Sequence, residues 1–242
     1  MTQQPYGGGN VYAPGAMEQL QAGLNAFVAR VYAWMTLGLL LTGIVAMLTV
    51  SYEPLAELVL GNQAVFIGLL IGEVVLVIAL SWAIGRISAA VATAMFVVYA
   101  AVNGVTMSVI FLVYTQSSIA TTFFATAGMF GAMSAYGYFT RRDLTSIGSF
   151  LYMALVGLII ASVVNLFWAN SMLYWLITYA GIAIFIGLTA YDTQKIKAVG
   201  LSLSGGGEIE VAKKAAIMGA LKLYLDFINL FLLLLRLLGR RR

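Results

Sequence analysis

The sequence contains neither cysteine nor histidine. Their absence excludes disulfide bonds, thiol nucleophiles, Ser-His-Asp triads and nearly every kind of zinc site. Charged residues are also scarce, because Asp, Glu, Lys and Arg together make up 9% of the chain, against about 25% in a typical soluble domain. Since 62% of the 242 residues are hydrophobic, the composition indicates an integral membrane protein.

Catalytic motifs are absent as well, including a phosphate-binding glycine loop and a G-x-S-x-G nucleophile motif. Two aspartates in apolar segments superficially match an intramembrane aspartyl protease. The second, however, lies in YLDFI without the glycines of the GxGD motif. We therefore expect no enzyme activity and no cofactor. The net charge of +4 comes from basic residues that lie between apolar segments, so we expect no nucleic-acid partner.

Seven apolar segments occur, each close to the roughly 20 residues that a membrane-spanning helix needs. Because an open strand edge would leave backbone groups unpaired in lipid, the expected fold is an all-α bundle in the bilayer. Residues 1–26 are interpreted as a flexible cytoplasmic tail and residues 27–239 as one membrane domain, with a polar loop at 198–214. The predicted spans are residues 27–50, 64–84, 89–113, 119–138, 147–168, 172–194 and 215–238.

The distribution of basic residues predicts the orientation. Arg30 stands at the start of the first segment, and Lys and Arg occur in every second connection, while the alternate connections have none. This pattern places the N-terminus in the cytoplasm. With seven crossings the arginines at 240–242 would end outside, against the rule, so either the earlier loops dominate or the last segment re-enters without crossing. We favour crossing, since residues 222–238 extend about 25 Å as a helix.

Four of the ionisable side chains inside the predicted spans need an explanation, because such residues usually face a protein interior or a water-filled cavity. They are Glu73, Asp192, Asp226 and Arg236. At about 100° per residue, Lys222, Asp226, Asn229 and Arg236 share one sector of the seventh helix, opposite Leu, Phe and Ile. The seventh helix is therefore expected to line a cavity or to face a partner helix.

Asp192 and Asp226 are expected at one depth. Asp192 precedes Lys195 by three residues and Asp226 follows Lys222 by four, which places each about 5 Å inside the same interface. Two neighbouring carboxylates could share a proton and titrate as a unit, and could thereby sense cytoplasmic pH. A simpler interpretation stays open, in which Asp192 pairs with Lys195 in water and Asp226 forms a salt bridge with Lys222.

Two further charged residues also have two interpretations each. Glu73 could pair with Arg236, or it could be an inert group in a wet crevice. Arg86 could only mark the topology, or it could reach the aspartates from the cytoplasmic end of the second helix. A lysine on the last of seven helices is also typical of retinal proteins, but Lys222 is expected near the surface rather than at mid-span.

Several long sequence motifs resemble the Bax inhibitor-type family, also called the transmembrane Bax inhibitor motif family. GLTAYDTQ (187–194) and LYLDFINLFLLLLRLLG (223–239) carry the two aspartates, and NGVTMSVIFLVYT (103–115) and FTRRDLTSIG (139–148) occur in the same order as in the family. The resemblance extends from about residue 28 to residue 239. It is strongest to the bacterial inner-membrane branch.

The resemblance implies a seven-helix fold in which the last helix is central and the other six enclose it. It also implies a pH-sensitive calcium leak, in which Asp192 and Asp226 form a hydrogen-bonded dyad that Arg86 latches closed. Calcium takes six to eight oxygen ligands, so Asn229, Thr189, carbonyl groups or water would complete a weak, transient site. As an alternative, the resemblance implies a membrane interaction protein without transport of its own, which modulates a membrane-anchored ATP-dependent protease as some bacterial relatives do.

Overall fold

The computed structural model describes residues 14–205 and 208–242, and within these ranges it contains helices and short connections but no strand. The all-helical prediction is thus confirmed. The helices are α1 (Pro14–Ser51), α2 (Glu53–Leu60), α3 (Gln63–Ala83), α4 (Ala89–Met107), α5 (Ile110–Val113), α6 (Gln116–Phe139), α7 (Thr145–Trp168), α8 (Ser171–Ser204) and α9 (Ile209–Leu238).

Six helical stretches are long and apolar enough to cross a membrane: α1, α3, α4 together with α5, α7, α8 and α9. Helix α6, predicted as the fourth span, is not among them, although it has 24 residues and no charged side chain. Its many Ser, Thr, Gly and Tyr residues lower its hydropathy. The polar groups of α6 include Thr122 and Thr126, which are buried.

Helix α9 is the most buried of the six stretches. In its most apolar window 72% of the residues are buried, against 11% in α3 and in α7. It packs against α1, α4, α6 and α8. The leucines of α9 therefore fill the interior of the bundle, whereas the apolar side chains of α3 and α7 are largely exposed.

The ends of three predicted segments differ from the structure. Helix α1 begins at Pro14, so the predicted flexible tail extends too far, and the part of that tail at residues 1–13 lies outside the described residues. Helices α8 and α9 cover most of the predicted polar loop 198–214. Tertiary packing explains these extensions, because Gly200 of α8 lies against Leu24 and Phe27 of α1, and both of those side chains are buried.

At one end of the bundle, lysine side chains of α8 and α9 form hydrogen bonds with the end of α6 and with the α3–α4 turn. The Lys214 ammonium, near the start of α9, donates to the Ile87 carbonyl in the α3–α4 turn at 3.1 Å. The Lys197 ammonium of α8 donates to the Tyr138 carbonyl in the last turn of α6 at 2.7 Å. We call this end, formed by the α3–α4, α6–α7 and α8–α9 connections, the lysine end.

The residues after α9 lie at the opposite end, where they pair with the α5–α6 connection. The Thr115 amide donates to the Arg240 carbonyl at 3.1 Å, and the Arg242 amide donates to the Val113 carbonyl at 3.0 Å. We call this the arginine end. Helices α6 and α9 therefore each run continuously from one end to the other, which disagrees with the interpretation of α9 as a re-entrant segment.

Candidate functional site

A cavity of about 590 Å³ lies among α3, α7, α8 and α9. Most of its wall is apolar, but four charged side chains line it, two acidic and two basic. They are Asp192, Lys222, Asp226 and Arg236. The structure thus brings together both aspartates and the polar sector that the sequence predicted on the last helix.

Asp192 lies in the middle of α8, which continues to Ser204, and only 2% of its surface is exposed. The Tyr152 hydroxyl of α7 donates to both of its carboxylate oxygens, at 3.2 Å each. The interpretation of Asp192 as a hydrated helix-end residue paired with Lys195 is therefore wrong. Among the described hydrogen bonds, the donor to this buried carboxylate is the neutral hydroxyl of Tyr152.

Asp226 is 5% exposed, and its Oδ2 atom is buried without a hydrogen-bond partner in the described part of the chain. The salt bridge with Lys222 that the sequence left open is not formed there. Asp192 lines the same cavity as Asp226, but none of the described hydrogen bonds joins the two carboxyl groups, so the hydrogen-bonded dyad that the resemblance implies is not formed in this conformation. An unsatisfied buried carboxylate oxygen is costly, so this atom indicates that the cavity receives a proton, water or a cation.

Two further polar groups of the cavity, Asn229 and Arg236, are on α9. The Asn229 side-chain amide donates to the Leu225 carbonyl at 2.8 Å, which leaves its carbonyl oxygen available to the cavity. The Arg236 guanidinium lies 4.6 Å from the centre of the Tyr174 ring, toward the arginine end. Thr189, considered from the sequence as a calcium ligand, instead donates to the Phe185 carbonyl at 2.7 Å and does not line the cavity.

Arg86 is not part of this cavity. It is exposed in the turn after α3, where its guanidinium lies 4.9 Å from the centre of the Trp82 ring. The latch that the resemblance implies, from Arg86 to the two aspartates, is not formed in this conformation. The position of Arg86 at the lysine end agrees with its interpretation as a topology marker.

Glu73 belongs to a separate buried network between α3 and α4. The Asn103 side-chain amide donates to one oxygen of Glu73 at 3.0 Å, and the Thr106 hydroxyl donates to the other at 2.6 Å. The Tyr224 hydroxyl of α9 in turn donates to Asn103 at 2.9 Å. With both oxygens satisfied in this way, Glu73 does not form the pair with Arg236 that the sequence suggested.

Sequence reasoning missed the hydrogen-bond partners of Asp192 and Glu73. Tyr152 stands in an apolar segment, where a tyrosine hydroxyl usually requires a hydrogen-bond partner, and this was a usable signal. Asn103 and Thr106 are three residues apart and so share one face of a helix. Neither pattern, however, says which acid lies opposite.

A second, smaller cavity of about 220 Å³ lies between α1, α8 and α9, nearer the lysine end. We call it the vestibule and the larger one the main cavity. Asp192 and Lys222 contribute to the walls of both, so these two side chains stand at the boundary between the cavities. Within the described residues there is no group of three or more acidic side chains that could hold a metal firmly.

These features define a class of protein, an integral membrane protein whose helices enclose a cavity with two acids and two bases. The family model described as "Inhibitor of apoptosis-promoting Bax1" matches residues 24–242. The chain therefore belongs to the Bax inhibitor family, and the match covers all of α3 to α9.

Bacterial relatives cover nearly the whole chain. Inner membrane protein YbhL of Escherichia coli (strain K12) is 51% identical over 224 residues, which are 93% of this chain and 95% of the relative. Protein RP147 of Rickettsia prowazekii is 49% identical over 222 residues, 91% of this chain and 92% of the relative. A protein of Borreliella burgdorferi is 46% identical over 218 residues, 90% of this chain and 93% of the relative.

Proposed function

We propose that the protein is a pH-sensitive cation leak channel of the bacterial inner membrane, with calcium as a transported ion, and that protonation of Asp192 and Asp226 closes it. The observation that carries the proposal is the unpartnered Oδ2 atom of Asp226, which is buried beside Asp192 at a cavity. Buried ionisable groups in spanning helices commonly mark ion pathways and proton relays.

The charges of the main cavity supply a reason for the pH dependence. With both aspartates ionised, Asp192 and Asp226 balance Lys222 and Arg236, so the cavity is neutral. One added proton leaves it with a net positive charge. One positive charge about 8 Å from a divalent cation raises the free energy of the bound cation by about 4 kcal/mol at an effective dielectric constant of about 20. Cations are therefore expected to enter less readily as the pH falls.

The ligands of the cavity suit passage rather than storage. The two carboxylates supply at most four of the six to eight oxygens that calcium prefers. The carbonyl oxygen of Asn229 and water would complete the shell. Incomplete coordination by the protein favours weak binding, which conduction requires because an ion must also leave.

We also propose that seven helices cross the membrane, with α9 at the centre. Support comes from α6, whose 24 residues reach about 36 Å as a helix, and from the burial of α9. The excess of lysine and arginine at the lysine end favours a cytoplasmic location for that end and for the N-terminus. The inner membrane is the location in the name of the Escherichia coli relative.

Calcium flux into vesicles that contain the purified protein tests the function. We expect flux to fall as the pH is lowered through neutrality, and Asp192→Asn and Asp226→Asn to abolish that dependence. Asp143→Asn is the matched control, because Asp143 is exposed in the α6–α7 connection. If both cavity variants keep the pH dependence of the unmodified protein, the proposal is wrong.

A further inference from the structure

Lys222 is a basic residue that belongs to the walls of two cavities, the vestibule and the main cavity. Its side chain is half-buried on α9, and it lines both cavities together with Asp192. It shares the wall of the main cavity with both Asp192 and Asp226, and opposite charges in such a site attract each other. An ion that crossed from one cavity to the other at this boundary would pass the Lys222 side chain.

Polar and charged side chains from α7, α8 and α9 line the two cavities around Lys222. Helix α8 presents Asp192 and Lys195, α7 presents Tyr152, and α9 itself presents Asp226 and, farther along, Arg236. Helix α1 contributes only Phe27 to the vestibule wall. Lys222 lies one helical turn from Asp226 on α9 and lines the main cavity with both aspartates, whereas Lys195 lines the vestibule.

We propose that the Lys222 ammonium is a tethered counter-ion of the aspartate pair, which competes with divalent cations for the two carboxylates at the boundary between the cavities. This inference rests on the proposed function, since it concerns the same cation pathway. A lysine suits this role because its ammonium is a compact charge on a flexible stem with four carbons. It forms no salt bridge with Asp226 in this conformation, and its flexible stem would let it move away when a cation arrives.

The competition has a measurable consequence. A divalent cation bound at the aspartates is repelled by the ammonium, so removal of this charge should strengthen binding. Lys222→Met keeps an unbranched side chain of similar length without the charge. We expect it to bind Ca²⁺ about tenfold more tightly, which is less than the repulsion of a fully buried charge, because solvent reaches the half-buried Lys222 side chain and screens it. Lys222→Arg retains the charge and should bind Ca²⁺ more weakly than Lys222→Met.

Isothermal titration of the purified full-length protein with CaCl₂ measures this effect, and Lys213→Met is the matched control. Lys213 lies on the same helix but lines a different cavity, beside Arg30 and Glu210, so its loss should leave Ca²⁺ affinity unchanged. A thermal melt verifies that each variant is folded. Should Lys222→Met not fold, Lys222→Gln replaces it with the same expectation.

The outcomes separate the inference from the proposed function. If Lys222→Met and Lys222→Gln bind Ca²⁺ no more tightly than the unmodified protein, while Asp226→Asn abolishes binding and pH-dependent flux, the role of Lys222 is refuted and the cation pathway stands. If Asp226→Asn also changes neither binding nor flux, the proposed function fails, and the inference about Lys222 fails with it. Equal tightening in Lys213→Met would likewise overturn the inference, because a general loss of positive charge would then explain the result.

Discussion

Replacement of Tyr152 with phenylalanine is expected to raise the midpoint of pH-dependent flux by about one pH unit. The hydroxyl donates to both oxygens of Asp192 at 3.2 Å and so favours the ionised carboxylate. A hydrogen bond to a charged group contributes about 1.5–3 kcal/mol. Because these distances exceed the usual range for O–H···O bonds, we take the lower value, and about 1.4 kcal/mol corresponds to one pH unit.

The midpoint of flux is expected to rise because the Tyr152 hydroxyl stabilises the ionised form of Asp192. Without this donor, the carboxylate takes up its proton at higher pH, and flux should be lost earlier as the solution is acidified. The measurement is calcium flux into vesicles over a pH series around neutrality, with the midpoint compared between variants. Packing should change little, because phenylalanine keeps the ring that meets Tyr191 edge-on at 6.0 Å.

Tyr191→Phe is the matched control for this experiment. Tyr191 neighbours Asp192 in the sequence and contacts the Tyr152 ring, but its hydroxyl donates to neither aspartate among the described hydrogen bonds. Its loss should leave the midpoint in place. A midpoint that stays unchanged or falls in Tyr152→Phe, in protein that is still folded, would refute the claim that this hydroxyl holds Asp192 in its charged form.

Three further predictions concern packing and the separate roles of charged residues. Gly137→Ala would drive a methyl group into the backbone carbonyl of Ala190. We expect this to lower the free energy of unfolding by about 1–3 kcal/mol and to lower the melting temperature. Gly131→Ala on the same helix is the control, because its methyl group meets nothing within 4 Å and the variant should melt like the unmodified protein. Glu73→Ala should destabilise the fold by about 1–3 kcal/mol, because the buried amide and hydroxyl that it binds lose their acceptor; an unchanged denaturation midpoint would contradict this. Arg86→Ala should keep the pH dependence of flux, since Arg86 is exposed outside the main cavity, and a shifted midpoint would show that it reaches the aspartates in another conformation.

The positions of the helices could largely be predicted from the sequence. Starts at 89, 116, 145 and 171 lie within three residues of the predicted ones, because apolar runs and their polar breaks mark where a chain can enter and leave lipid. The errors concentrate where a helix continues into water. The additional turns of α1 and α8 are stabilised by contact with each other. A hydropathy profile cannot predict that contact, because it depends on how the helices pack.

The candidate site could be predicted only in part. The shared sector of Lys222, Asp226, Asn229 and Arg236 follows from helical geometry, and all four line the main cavity. The side-chain partners could not be predicted, because they depend on which helices are neighbours. Glu73 illustrates this, since an acid on α3 has no preferred partner until α4 is placed beside it.

The sequence by itself determined that the chain is a helical membrane protein with two acids at similar depth on its last two long helices. The reason is local, since in lipid each helix must satisfy its own backbone groups and expensive charges must find an interior. Tertiary structure alone decided that Tyr152 reaches Asp192, that Arg86 stays outside, and that Lys222 stands between two cavities. These features require side chains from separate helices to meet, and only the packing of the bundle determines which of them do.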